Sequence, residues 1–204
     1  MRLGILGGVF NPPHLGHLVC AQEACVRLEL DQVLLVPVRE APHREVEDDP
    51  GGETRLDLCR AATTDDDRLG CSRVEIDRPG PSFTVDTLRA LREERAEDEE
   101  LVLILGADQA AELRSWRDPE AVLGLAEVAV VERADLGPEA VRARLEGMAG
   151  AERLGFFSMP RIDVSSTLVR RRVADGLPVR YLVPDAVVDL IAERGLYRAR
   201  VGTR

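Results

Sequence analysis

RLGILGGVFNPPHLGH, residues 2–17, decides how the rest of the chain is read. RLGIL (2–6) is apolar without alternation, the pattern of a strand buried on both faces. Gly7, Gly8, Pro12 and Pro13 follow, and LGHLVCAQEACVRLEL (15–30) continues with helical spacing, with Leu18, Cys25 and Leu28 among its apolar positions. A strand that ends in glycines and opens into a helix is the first unit of a parallel βαβ series. Glycines in such a turn let backbone amides approach a bound group. The helix start adds unpaired N–H groups and a partial positive charge, which suit an anion. His14 and His17, two of the chain's three histidines, sit three residues apart on one face of that start and read as donors to phosphate oxygens. The plainer alternative is a tight structural turn with two surface histidines. Other motifs fit less well. Gly4, Gly7 and Gly8 lack the dinucleotide spacing, a P-loop needs a lysine, and a zinc site would need His43 from a different loop.

Outward from this turn the chain alternates. QVLLVPV (32–38), SRVEID (72–77), LVLILGAD (101–108), AEVAVVER (126–133) and LGFFSM (154–159) read as further strands. TRLDLCRAATT (54–64), TVDTLRALREERAEDEE (84–100), PEAVRARLEGMAG (138–150), SSTLVRRRVADG (165–176) and PDAVVDLIAERG (184–195) read as helices. The expected fold is α/β, a Rossmann-like doubly wound parallel sheet of about six strands with a helical C-terminal tail. One domain is expected over 1–204, with 165–204 its C-terminal helical part; REAPHREVEDDPGGE (39–53) is the least structured stretch. Such sheets bind ligands beyond the carboxyl ends of their strands. That rule directs attention to 7–17, 37–44, 78–86, 106–116, 133 and 159–170.

Bulk properties exclude some classes. A net charge of −10 over 204 residues argues against partners such as nucleic acid or an anionic membrane, which need a basic footprint. No apolar run approaches the roughly 20 residues that span a bilayer, and MRLGILGG lacks the features of a signal peptide, so a cytoplasmic protein is expected. Cys20, Cys25, Cys59 and Cys71 form no Cys-x-x-Cys pair and read as buried thiols. All 27 basic residues are arginine, so any cationic work on phosphate falls to guanidinium groups.

A second phosphate signal lies at RIDVSSTLVRRR (161–172). Ser165, Ser166 and Thr167 sit where an N-cap belongs, and Arg170 to Arg172 follow within a turn. Ordinary capping beside a basic helix face is the plain alternative. Both signals follow an expected strand, however, and two phosphate sites on one ligand edge suggest a nucleoside triphosphate.

GGVFNPPHLGH with VSSTLVR resembles the nucleotidyltransferase superfamily, which carries a (T/H)xGH signature near its N-terminus and a Ser-Thr-Arg signature near its C-terminus. More narrowly, the chain resembles the bacterial nicotinate-nucleotide adenylyltransferases. It has APHR at 41–44, RPGPSFTVDTL at 78–88, GADQ at 106–109 with Trp116, SSTLVR at 165–170 and YLVPDAVVDLI at 181–191, in the family's order over almost the whole chain. The resemblance implies adenylyl transfer from ATP to nicotinate mononucleotide, a step of NAD biosynthesis, with Mg2+ bound through the ATP phosphates rather than by protein ligands.

By this resemblance His14, His17 and Arg170 are catalytic. ATP would be bound by Gly7, Gly8, Val9, Phe10, His14, His17, Gly106, Asp108, Ser165, Ser166, Thr167 and Arg170. Nicotinate mononucleotide would be bound by His43, Arg44, Phe83, Thr84, Trp116 and Arg133. The chain departs from the family pattern at Asn11, Arg44 and Phe83, which stand where aspartate, lysine and tyrosine are usual. Two further readings stay open. One is a sibling enzyme using nicotinamide mononucleotide or phosphopantetheine; the other is a non-catalytic nucleotide-binding protein on the same fold. A homo-oligomer is compatible with all three.

Overall fold

In the computed structural model, residues 1–41, 46–96, 98–132 and 136–199 are described. The apolar run at the N-terminus forms β1 (Arg2–Gly8), which becomes the sheet's centre because both its edges are taken. One edge pairs in parallel with β2 (Gln32–Pro37), with Ile5 opposite Leu34, and the other with β4 (Glu100–Gly106), with Leu3 opposite Leu101. β3 (Leu69–Cys71), β5 (Glu127–Val131) and β6 (Gly155–Phe157) complete a six-stranded, all-parallel sheet in the order β3-β2-β1-β4-β5-β6. This is the doubly wound order, with its reversal point between β1 and β4.

The lack of alternation in β1 has a direct cause. Leu3 and Ile5 pack into one apolar cluster with Leu34, Leu103, Val85, Leu88 and Leu113. Leu6 packs on the opposite face with Val33, Leu35, Val102, Ile104, Cys20 and Cys25. Burying each such leucine or isoleucine contributes about 2 kcal/mol. Gly4 lets the second layer close in, since a Cβ there would meet Val33 Cγ2 at 2.7 Å and Leu30 Cδ1 at 2.8 Å.

Four helices follow the sequence expectation, α1 (Leu15–Arg27), α2 (Gly52–Thr63), α8 (Ser166–Ala174) and α9 (Asp185–Glu193), while the helix expected over 84–100 is shorter, α4 (Thr84–Glu93), with Glu100 already the first residue of β4. α8 and α9 join α2 in a third cluster around Leu58, Val169, Val183, Val187 and Ile191, which makes the C-terminal tail part of the body. No described helix is long and apolar enough to cross a membrane.

Three other local readings are corrected. SRVEID is not a strand: the edge strand lies just before it, and α3 (Val74–Asp77) is a helical turn. The helix expected over 138–150 is shorter, α7 (Pro138–Arg144), and Gly147 then turns with φ 77°. α5 (Ala107–Ala111) and α6 (Pro119–Leu125) were not anticipated; α5 begins where 107–108 were read as strand.

Candidate active site

The first βα turn is shaped by Phe10, buried and with a left-handed φ of 51°, followed by a cis Asn11–Pro12 bond. Gly8 has no Cβ because the Phe10 ring lies only 3.0 Å from where it would be. A Cβ on Gly7, by contrast, would meet nothing within 4 Å. The turn delivers His14 as the N-cap of α1, and its backbone N–H donates to His17 Nδ1 at 3.1 Å. That bond fixes the tautomer: with Nδ1 accepting, the ring hydrogen of neutral His17 is on Nε2. The two imidazoles stack with centroids 3.7 Å apart, and Phe10 meets His17 edge-on at 5.0 Å. His17 is thus a donor held in place from three sides.

The start of α8 is stitched onto this turn from the far end of the sequence. Ser165 is the helix N-cap, its Oγ accepting from Leu168 N at 3.2 Å. Ser166 Oγ donates to Pro12 O at 2.8 Å, and Arg170 Nη1 donates to Asn11 O at 3.0 Å. Tyr197 Oη donates to Asn11 Oδ1 at 2.7 Å, and burial pushes that phenol's pKa well above the usual tyrosine range, so the donor stays protonated. Asn11 Nδ2 in turn donates to Glu47 O at 2.8 Å. An aspartate at position 11 could not make that last bond, so the family departure is matched to its neighbours. A cleft of about 320 Å³ opens here, lined by Val9, Asn11, Glu47, Ser166, Thr167 and Arg170.

Glu47 and Asp48 already face the Arg170 guanidinium, at 3.0 Å from Nη2 and 3.6 Å from Nε. Among the described residues, no group of three or more His, Cys, Asp or Glu side chains is placed to hold a metal ion. The Arg170 guanidinium and the Ser166 and Thr167 side chains line this cleft, and the His14–His17 pair stands in the adjoining first turn.

A second cavity of about 340 Å³ lies on the same sheet edge. Gly7, Gly8 and Val9 form part of its wall, with Ser82, Phe83, Thr84 and Trp116. Trp116 follows the 3-10 turn Leu113–Ser115, and its half-buried ring packs against the core cluster. The Arg117 guanidinium lies 4.9 Å above the Phe83 ring, a cation–π contact, and reaches Asp86 at 3.3 Å. Gly106 ends β4, and Asp108 is exposed in the first turn of α5 at the same sheet edge. His43, Arg44 and Arg133, expected around the acceptor, lie outside the described residues.

Two buried ionisable residues escaped the sequence reading. Arg55 on α2 is 0% exposed. It donates to Val9 O (3.1 Å), Val38 O (2.6 Å) and Arg39 O (3.2 Å), and its Nε pairs with Asp49 at 2.8 Å. It therefore ties the segments after β1 and β2 together, through Val9, which lines both cavities, and Val38, which lines the second. A signal was present: Arg55 occupies the helical stripe of Leu58, Cys59 and Ala62, all buried, where an arginine is out of place unless bonded. The other is Glu75, hidden because its segment was taken for a strand.

A doubly wound sheet with a histidine-bearing first turn, closed by a Ser-Thr-Arg helix start, defines a nucleotidyltransferase-like site. The cytidylyltransferase-like family model matches residues 5–172. A Roseiflexus sp. (strain RS-1) protein named "Probable nicotinate-nucleotide adenylyltransferase" is 44% identical, covering 96% of this chain and 98% of its own. An Acidothermus cellulolyticus protein of the same name is 38% identical over 100% of this chain and 97% of its own. Among solved structures, the Plasmodium falciparum nicotinic acid mononucleotide adenylyltransferase complexed with NaAD shares the fold. Its TM-score is 0.76 at 15% identity, covering 96% of this chain and 97% of that one. The chain belongs to the cytidylyltransferase-like family and, within it, to the nicotinate-nucleotide adenylyltransferases.

Proposed function

We propose that this protein, acting as one catalytic unit in the cytoplasm, transfers the adenylyl group of ATP to nicotinate mononucleotide, releasing nicotinate adenine dinucleotide and pyrophosphate. The observation that carries the reading is the shared wall: Val9 lines both the polar cleft and the apolar cavity. A triphosphate in the cleft and a mononucleotide in the cavity would bring their phosphates together there.

The 5′-phosphate oxygen of the mononucleotide attacks the α-phosphorus of ATP in line, and the bond to the departing pyrophosphate breaks. The nucleophile is already an anion, so the chain supplies positioning and charge stabilisation rather than a base or a covalent intermediate. His17, with its hydrogen directed to Nε2 by the His14 amide, donates to the charge that grows at the α-phosphate. Arg170 and Thr167 receive the β and γ phosphates, while Ser166 fixes the helix start through Pro12 O. Glu47 and Asp48 are 80% and 69% exposed beside Arg170, so their pairs are weak and yield readily to phosphate. The donor set suits Mg2+ carried by the triphosphate; when bound, the ion offsets phosphate charge. Phe83 and Thr84 present backbone to the pyridine carboxylate, and Trp116 offers a ring face to the base.

The test is pyrophosphate release from ATP with nicotinate mononucleotide, nicotinamide mononucleotide or phosphopantetheine. The acid should be preferred by at least about tenfold in kcat/KM, the scale of one hydrogen-bonded recognition group. Preference for the amide, or for phosphopantetheine, overturns the reading.

A further inference from the structure

Among the described residues that line the apolar cavity, Arg117 is the one cation. The other charged groups there are two carboxyls, Glu75 and Glu112. With a net charge of −10 over the chain, such a wall opposes an anion unless something offsets it. The acceptor proposed above carries a pyridine carboxylate as well as its phosphate.

Arg117 is delivered by a short segment fixed at both ends. The 3-10 turn Leu113–Ser115 precedes it, with Leu113 fully buried, and α6 follows from its N-cap Asp118. Asp118 has a left-handed φ of 49° and is gripped by Arg89 of α4 at 2.6 Å. Trp116 and Arg117 are therefore presented by one bend. The guanidinium lies over the ring of Phe83, the N-cap of α4, at 4.9 Å from its centre. Such stacking holds the flat face of the group and leaves its N–H groups pointing outward in the plane.

Those N–H groups are nearly all uncommitted. Nη1 donates to Asp86 Oδ2 at 3.3 Å, and no other described group takes a hydrogen from Arg117. The Asp86 pair is exchangeable. Its side chains are 58% and 27% exposed, a setting in which ion pairs contribute little. Asp86 also keeps a second cation, Arg89, at 3.6 Å. The guanidinium can thus turn an edge to a ligand without stranding its protein partner. The ligand that matches its fork is a planar carboxylate. A carboxamide has one acceptor oxygen and no charge.

We propose that the Arg117 side chain is a specificity-determining group that pairs with the carboxylate of the pyridine substrate, using the Phe83 ring as its platform. This rests on the acceptor being nicotinate mononucleotide. A backbone N–H donates to a carboxylate or to an amide carbonyl, so the Phe83–Thr84 segment positions the ring, and Arg117 adds the sensitivity to charge.

The experiment is steady-state kinetics of the full chain with ATP and either nicotinate mononucleotide or nicotinamide mononucleotide. The two acceptors share the 5′-phosphate, so its contribution cancels in their ratio. Arg117→Gln should raise the KM for the acid about tenfold and that for the amide no more than about twofold. Arg117→Lys, which keeps the charge but loses the fork, should fall between. In wild type the preference for the acid should shrink as salt rises from about 0.05 M to about 0.5 M, and in Arg117→Gln it should not respond. Asp86→Asn frees the guanidinium, so the KM for the acid should hold or fall. A role confined to the Asp86 pair would make Asp86→Asn and Arg117→Gln act alike.

The proposal is overturned if Arg117→Gln shifts both acceptors equally, if the wild-type preference ignores salt, or if Asp86→Asn raises the KM for the acid as Arg117→Gln does. Thermal unfolding of Arg117→Gln should match wild type, since an exposed pair adds little to stability. Calorimetric titration with the two mononucleotides gives the same comparison without turnover. Should wild type turn over neither, the proposed function fails, and these titrations still judge Arg117; binding of neither overturns both.

Discussion

The polar cleft and the apolar cavity meet at Val9, but the chain builds them by opposite means. The cleft is a junction between the first turn and the C-terminal helices, held by Ser166–Pro12, Arg170–Asn11 and Tyr197–Asn11 bonds. The cavity is made by the edge of the sheet and the α4 start, with apolar walls from Ile5, Val36, Leu88 and Leu103. In the cleft, donors are already engaged with protein acceptors, so a ligand exchanges partners and gains chiefly by charge. In the cavity a ligand gains by covering carbon, and discrimination falls to a few backbone and side-chain polar groups.

Three substitutions sharpen that contrast. The largest effect belongs to the first turn beside the cleft: His17→Ala is expected to lower kcat about a thousandfold. Losing the His14 amide's acceptor should lower Tm by no more than about 4 °C. An active variant would remove His17 from the chemistry and reduce the cleft to a binding surface. Next is the support common to both pockets. Arg55→Met strips hydrogens from three carbonyls and leaves Asp49 only the Gly51 amide, so it should cost about 3 kcal/mol in denaturant unfolding. A near-neutral result would mean that the two loops hold their places without it. The smallest belongs to the cavity: Trp116→Ala should raise the KM for the mononucleotide about tenfold and leave that for ATP alone. Equal changes in both would make Trp116 a packing residue and erase the division of labour.

Much of this was legible in the sequence because the relevant patterns are long or punctuated. Five of the six strands could be read from apolar runs without alternation, and the two helix starts that meet at the cleft from histidine, serine and arginine placed just after strands. The misreadings lie where the local signal is short. SRVEID has the composition of a strand, but four to six residues cannot separate a strand from a helical turn by pattern alone, and β3 has only one neighbouring strand to fix it. That error concealed Glu75, since a carboxylate on an edge strand would be taken as solvated. Arg55 was visible as a charged residue on an apolar stripe, but besides Asp49 its partners are three backbone carbonyls, which no side-chain pattern announces. The Asn11–Tyr197 bond joins residues 186 apart, beyond the reach of any local rule.

The stitching of the cleft also governs when the protein acquires it. Ser166 and Arg170 lie 154 and 159 residues from the carbonyls they bind. A chain emerging from the ribosome can pair β1, β2 and β4 and bury most of its core well before these partners are synthesised. The sheet can therefore exist for some time as a scaffold with one wall of the cleft missing. The last stretch of the chain works as a clasp: a truncated or half-made copy would resemble the protein in its core yet lack the closed cleft.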